Sequence, residues 1–263
     1  MLGFSTRWGS AEAIVRRRDF IALLGGAAAF QPFVAHAQRV PPRLLYFTYS
    51  AGYRHQVIPL SREILTRLGS DSGAFEVTAS EDTSEFFSDN LARYAAVMFF
   101  TSGELPLSDA HKSALLDFVR SGRGFLGVHS ATDTFYNWPD YLDLVGGYFD
   151  GHPWHQAVTI DVADPGDPLV AFLGNSFQVE DEIYQIRDFD HQGSRVLLRL
   201  DPRSVDLGKT GVHRQSYGWP LAWTRRYGEG RVFYSALGHE PSVWQDARYQ
   251  RILSNAILWS MRG

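Results

Sequence analysis

Short apolar runs alternating with amphipathic helical stretches constrain this chain more than any other feature. Residues 44–47 form an apolar run just after Pro41-Pro42, and residues 57–68 then show helical spacing through Ile58, Ile64, Leu65 and Leu68. This predicts a strand followed by a helix. Residues 75–79 are a second strand candidate, and residues 95–100 are apolar without alternation, as in a strand covered on both faces. Residues 108–121 predict a helix with Ser108 as N-cap, Leu115, Leu116, Phe118 and Val119 on one face, and Gly122 as C-cap. A further buried strand covers residues 124–128. The alternation implies a doubly wound, mostly parallel α/β sheet. The second half is richer in strands, with candidates at 156–162, 194–200, 220–224 and 231–235 before a closing helix from about 241 to 261.

Composition narrows the chemistry. The chain contains no Cys, which excludes a thiolate nucleophile, Cys-ligated zinc, an iron–sulfur cluster and a redox dithiol. Lys112 and Lys209 are the only lysines, the formal charge is -4, and no basic stripe occurs beyond residue 18, so no nucleic-acid partner is expected. Seven Trp within an aromatic content of 14% exceed what a plain surface needs, and such residues can line a site for a hydroxyl-rich ligand.

The first residues read as an address. Arg16-Arg17-Arg18-Asp19-Phe20-Ile21 precedes a short Gly/Ala-rich apolar stretch, and Val34-Ala35-His36-Ala37-Gln38 supplies small residues around a cleavage point after Ala37. Arg17-Arg18 is similar to the twin-arginine signal, although Arg16 stands where that pattern prefers Ser. Residues 1–37 are thus expected to be an export signal, residues 38–263 a single domain, and the location periplasmic or secreted. The apolar stretch is too short for a membrane span, and no stable membrane insertion is expected. Loss of the leader, with four Arg against one Glu and one Asp, takes the formal charge from -4 to about -6.

Polar residues gather after the predicted strands, where open parallel sheets bind ligands. Tyr53-Arg54-His55 follows the first, His129-Ser130-Ala131-Thr132-Asp133 the fourth, and Leu237-Gly238-His239-Glu240 the strand ending at Ser235. Three histidines on one sheet edge suit acid–base or metal chemistry better than packing. Gly127-Val128-His129-Ser130-Ala131 has the form of a nucleophile elbow with His129 in the nucleophile's place. A triad of Ser130, His129 and Asp133 is disfavoured, because adjacent Ser and His point apart. Gly146-Gly147 to Gly151-His152-Pro153-Trp154-His155 reads as a site-bearing loop. No HExxH-like signature occurs, so a metal site would be assembled from His55, His129, His152, His155 or His239 with a carboxylate. The Asp181-Glu182 run reads either as a solvated turn or as carboxylates that orient a His or bind sugar hydroxyls. His111, His191 and His213 look like surface residues. No Gly-rich phosphate loop follows the first strand, so neither nucleotide nor flavin is expected.

These motifs, with Asp181-Glu182-Ile183-Tyr184 and Gly230-Arg231-Val232-Phe233-Tyr234 through Gly238-His239, resemble the ThuA-like, trehalose-utilisation family across nearly the whole chain from Arg43. The resemblance implies a flavodoxin-like scaffold like that of class I glutamine amidotransferases. It also implies the use of trehalose and related disaccharides through keto-sugar derivatives. His129 stands where amidotransferases carry their Cys, so glutamine hydrolysis is not expected. The reading that follows is a carbohydrate-processing enzyme, of isomerase, lyase or hydrolase type, acting on a trehalose-like disaccharide or its 3-keto form. His129, His239 and Glu182 are the candidate catalytic residues. His55, Tyr53, Ser130, Asp133, Tyr136, Trp138 and Trp154 are candidates for substrate binding, and a divalent metal is a candidate cofactor on His129, His152 and His239. A sugar oxidoreductase in the same pathway is an expected partner. The alternative is a non-catalytic sugar-binding protein.

Overall fold

A computed structural model describes residues 40–262, and the export signal expected over residues 1–37 lies outside the described residues. In chain order the strands are β1 (Arg43–Phe47), β2 (Glu76–Ser80), β3 (Ala96–Phe99), β4 (Gly124–Val128), β5 (Tyr148–Phe149), β6 (Trp154–Val162), β7 (Ser176–Ile183), β8 (Ile186–Arg187), β9 (Ser194–Leu200), β10 (Pro220–Tyr227) and β11 (Gly230–Ser235). The helices are α1 (Ile58–Ser72), α2 (Ser88–Leu91), α3 (Asp109–Arg120), α4 (Pro139–Val145), α5 (Pro241–Gln245) and α6 (Ala247–Ser260).

Nine strands form one sheet in the order β2-β1-β3-β4-β11-β10-β9-β6-β7. From β2 to β11 neighbouring strands are parallel, and β10, β9, β6 and β7 extend the sheet antiparallel. The parallel part is the flavodoxin-like arrangement, and the antiparallel extension is the strand-rich second half. Strands β1, β3 and β4 are buried almost throughout, which explains why they read as unbroken apolar runs. The chain leaves β1 toward β2 and then crosses back to β3, so the carboxyl ends of these strands open onto a crevice.

Local rules account for most element ends. Ser108 caps α3 by accepting a hydrogen bond from the His111 N–H, and its buried face is Leu115, Leu116, Phe118 and Val119. Three features depart from the sequence expectation. The closing helix is two helices, because Asp246 is extended and caps α6 through the Arg248 N–H. Residues 176–183, which are not among the strand candidates, form a strand paired along its length with β6. The expected loop over residues 146–155 is shorter: β5 pairs with β8, and β6 already begins at Trp154.

Gly146 shows how closely this region is fitted. It ends α4 at a φ of 91°, and a Cβ there would collide with the Arg225 guanidinium and lie 3.2 Å from Ser194 Oγ. Gly146→Ala combines a left-handed backbone with overpacking and is expected to destabilise the fold by about 2–4 kcal/mol, to be read from urea unfolding.

Candidate functional site

The turn after β4 is the first element of the site. His129 takes a φ of 46°, uncommon for a residue with a side chain, and such a backbone costs about 1–3 kcal/mol unless its surroundings enforce it. Here they do. Tyr234 on β11 donates its hydroxyl to the His129 carbonyl at 2.6 Å. A Cβ on Gly127 would sit 3.0 Å from both Ala131 Cβ and the Tyr234 ring, so the turn tolerates only a small residue there. This is the strand–turn geometry of a nucleophile elbow with an imidazole at its apex.

His129 is fully buried, and its Nδ1 lies 2.8 Å from the Ala236 carbonyl. A carbonyl can only accept, so Nδ1 carries a proton and Nε2 is the ring nitrogen that faces the cluster. That Nε2 lies 3.3 Å from His239 Nδ1 and 3.4 Å from Glu182 Oε2, and His239 Nδ1 lies 3.2 Å from the same Glu182 oxygen. His55 places a ring nitrogen within 4.8 Å of these atoms, and its buried Nδ1 has no hydrogen-bond partner among the described residues.

Two neighbouring carboxylates have different tasks. Glu182 Oε1 lies 3.2 Å from His152 Nδ1, which fixes the orientation of the carboxylate. Asp181 is fully buried: Oδ2 accepts from the Gly238 N–H at 2.8 Å, and Oδ1 accepts from those of His239 at 3.0 Å and Glu240 at 2.9 Å. Asp181 therefore clamps the loop that carries His239. At the solvent side of His239, His155 Nε2 meets Glu240 Oε1 at 2.7 Å.

The electrostatics follow from this packing. Burial alone would raise the Glu182 carboxyl, but the hydrogen bonds and charges of His129 and His239 hold it well below the usual range. The hydrogen bond to Glu182 raises His239. Burial, aided by repulsion from His129 and His239, pushes His55 down to about 3. Burial raises Asp181, opposed by the His129 charge and the backbone N–H groups.

Tetrahedral ligands of an ion bound at about 2.0–2.1 Å lie about 3.3–3.4 Å apart. The three contacts among His129, His239 and Glu182 match that edge, and a ring nitrogen of His55 within 4.8 Å of them completes a donor set of three imidazoles and one carboxylate. These residues fit a divalent transition metal. His55, His129 and His239 with a carboxylate are within the pool read from sequence, whereas His152, also named as a candidate ligand, lies outside this group. His152 is half-exposed and touches the far oxygen of Glu182.

A cleft of about 370 Å³ opens over the cluster, with Tyr53, His55, Asp133, His152, Glu182 and His239 on its lining. Tyr53 is exposed, and Tyr136 at the rim donates its hydroxyl to Asp133 Oδ1 at 2.7 Å. Other candidates are placed elsewhere. Trp154 has no exposed surface, packs edge-on to Trp219 and donates its indole N–H to the Asp206 carbonyl, so it offers no face to a ligand. Trp138 is buried, stacked on Tyr141 with Lys112 over its ring. Ser130 is buried off the cleft, its Oγ without a partner among the described residues. His111 packs against Phe87 rather than standing free in solvent, and both of its ring nitrogens are buried.

Asp181 and Tyr184, which lie in one sequence motif but not among the candidate catalytic, binding or metal residues, belong to the site. The alternation of Phe177, Val179, Asp181 and Ile183 along β7 puts Asp181 on one face with apolar residues, the signal of a buried carboxylate. Tyr184, on the cleft, lies with its ring 4.3 Å from that of His129.

This fold and site define a flavodoxin-like α/β protein with a His/Glu cluster at the elbow after a central strand. The chain matches the ThuA family, described as trehalose utilisation, over residues 43–260, and it belongs to that family. Among solved structures, a ThuA-like protein from Bacteroides uniformis is 24% identical, covers 84% of this chain and 92% of its own, and superposes with a TM-score of 0.68. A ThuA-like protein from Parabacteroides merdae is 19% identical, with 85% and 91% coverage and a TM-score of 0.67. A cytoplasmic protein from Salmonella typhimurium is 12% identical, with 83% and 99% coverage and a TM-score of 0.60. These likenesses carry the fold. Among curated proteins no match is found.

Proposed function

We propose that this protein is an exported, metal-assisted enzyme that carries out acid–base chemistry on a trehalose-like disaccharide or its 3-keto derivative. The observation that carries the reading is the set of three mutual contacts at 3.2–3.4 Å among His129 Nε2, His239 Nδ1 and Glu182 Oε2, beneath a cleft sized for a small molecule. A divalent cation held there would draw negative charge onto a substrate carbonyl oxygen and acidify the neighbouring C–H. The chain's own groups do the rest. His129 is locked in one tautomer by Ala236, His152 orients Glu182, and Asp181 holds His239 in place. Tyr53, exposed on the cleft lining, offers an aromatic face to a pyranose ring.

The family description supports a sugar, and the chemistry supports a keto sugar, because an unactivated sugar C–H is not acidic enough for a carboxylate or imidazole to remove. Such a substrate must be supplied by an oxidoreductase acting on a sugar hydroxyl. The twin-arginine-like leader supports export of the folded protein.

The test is incubation of the metal-loaded protein with trehalose, sucrose and their 3-keto forms, followed by mass spectrometry. Conversion of a 3-keto sugar, lost in His239→Ala, is the expected outcome. Binding of sugar with no conversion of any of the four would replace the enzyme with a sugar-binding protein on the same scaffold.

A further inference from the structure

Asp133 lines the cleft with His55, Glu182 and His239 yet stands outside the group of cation donors. Its Oδ1 accepts the Tyr136 hydroxyl at 2.7 Å, and among the described residues no hydrogen bond engages Oδ2. The backbone around it is tightly determined. The Asp133 N–H donates to the Ser130 carbonyl at 2.9 Å, and its carbonyl accepts from the Gly103 N–H at 2.7 Å. Gly103 permits this approach, since its φ is 75° and a Cβ there would lie 2.6 Å from the Gly52 nitrogen.

Between the two side chains lies a strained residue. Phe135 is fully buried with a φ of 58°, an outlier for a bulky residue. The Phe135 N–H donates to the Gly103 carbonyl at 3.2 Å, and the Tyr148 hydroxyl donates to the Phe135 carbonyl at 2.8 Å. Strain of this kind costs about 1–3 kcal/mol and persists where the surroundings over-determine it, commonly at working parts of a site. Here it sets the angle at which Asp133 and Tyr136 leave the chain.

We infer that Asp133 is the acid–base residue that moves a proton at the carbon next to the substrate carbonyl, with Tyr136 as its positioning residue. The role rests on the keto-sugar reading of this cleft and extends it to a named proton acceptor. In a 3-keto glucosyl ring, the Asp133 carboxylate takes the C2 proton. The C–H electron pair becomes the C2–C3 double bond, and the carbonyl π pair moves onto the C3 oxygen. Collapse of this enolate has two balanced outcomes. A proton returns to carbon, giving exchange or isomerisation, or the C3 carbonyl re-forms, the C2–C3 π pair becomes a C1–C2 double bond, and the C1–O bond breaks with its electron pair on the departing sugar oxygen, which takes the proton from Asp133. Tyr136 engages Oδ1 and leaves Oδ2 for the substrate. Burial raises the Asp133 carboxyl above the ordinary aspartate value, against the hydrogen bond from Tyr136, which favours it as a base.

The test uses metal-loaded protein and 3-keto-trehalose in D2O, with deuterium at C2 followed by mass spectrometry above the protein-free rate. Sugar binding and metal content are measured alongside. Wild type is expected to exchange, and Asp133→Asn, which keeps the shape and the Tyr136 contact, should exchange about 100-fold more slowly or worse with metal content and sugar binding retained. Asp133→Glu should recover part of the rate. Tyr136→Phe, remote from the backbone contacts, should lower the rate with binding unchanged, and it carries the test if Asp133→Asn does not fold. Exchange at the wild-type rate in Asp133→Asn, or in Tyr136→Phe when that variant carries the test, overturns this role and leaves the enzyme reading standing. Absence in the wild type of both C2 exchange and cleavage of the 3-keto sugar overturns both.

Discussion

Asp181→Ala is expected to destabilise the protein by about 3–5 kcal/mol and to abolish the cation site with it. The Asp181 carboxylate has no exposed surface and accepts three consecutive backbone N–H groups, from Gly238, His239 and Glu240. Removal leaves those donors buried without partners, and each orphaned group costs about 1–3 kcal/mol. It also deletes a charge that faces buried His129. The loop is held as well by Trp244, whose indole N–H donates to the Gly238 carbonyl, so the loss should fall on local order around His239 as well as on global stability. Urea unfolding and metal titration together check this. Unchanged metal affinity in a folded Asp181→Ala protein would remove Asp181 from the account of the site.

Acid should weaken the metal-free protein well before ordinary carboxylates titrate. His55 is held near 3 in the folded chain, against an ordinary value of 6.5, mainly because burial penalises its charged form. Between these values the unfolded chain binds a proton that the folded chain refuses, so stability falls as the pH falls, by about 1.4 kcal/mol per pH unit. Across the window the loss is on the order of 5 kcal/mol. Glu182, whose folded value is depressed, adds stability above the ordinary carboxylate value that is lost as the pH falls through its folded one, so it acts in the same direction. His239, whose folded value is raised, contributes stability below 6.5 that is lost as the pH rises, a smaller term of opposite sign. Urea midpoints at pH 4, 5.5 and 7 should therefore climb with pH in wild type and climb less steeply in His55→Gln. Equal slopes in the two proteins would contradict the assignment.

The parallel half of the fold was legible because β1, β3 and β4 are buried on both faces and α1 and α3 carry their apolar residues at helical spacing. β7 was hidden, because its pattern of Phe177, Val179 and then Asp181 ends on acids, and a buried acid looks like a solvated one until its backbone donors are known. The break before α6 was hidden for a related reason, since Asp246 reads equally well as a helix interior residue and as a cap. Within the site, strand ends pointed to His55, His129 and His239, and the fold brings these three together with Glu182. Trp138 and Trp154 misled because aromatic type does not say which way a ring faces, and both rings are spent on packing. The partition of duties between Asp181 and Glu182 depends on a register, with His155 opposite Glu182 and Gln156 opposite Asp181, that one strand alone does not reveal.

If His129, His239 and Glu182, with His55, form a metal centre, the protein must hold a divalent ion. Elemental analysis of protein purified without a His tag, followed by calorimetric titration of the chelated protein with Zn²⁺ and Mn²⁺, tests it most directly. About one divalent ion per chain is expected in the wild type, with affinity weakened more than about 100-fold in Glu182→Gln, which keeps the shape but loses the charged donor. A wild-type protein that neither carries nor takes up a stoichiometric divalent ion would contradict it.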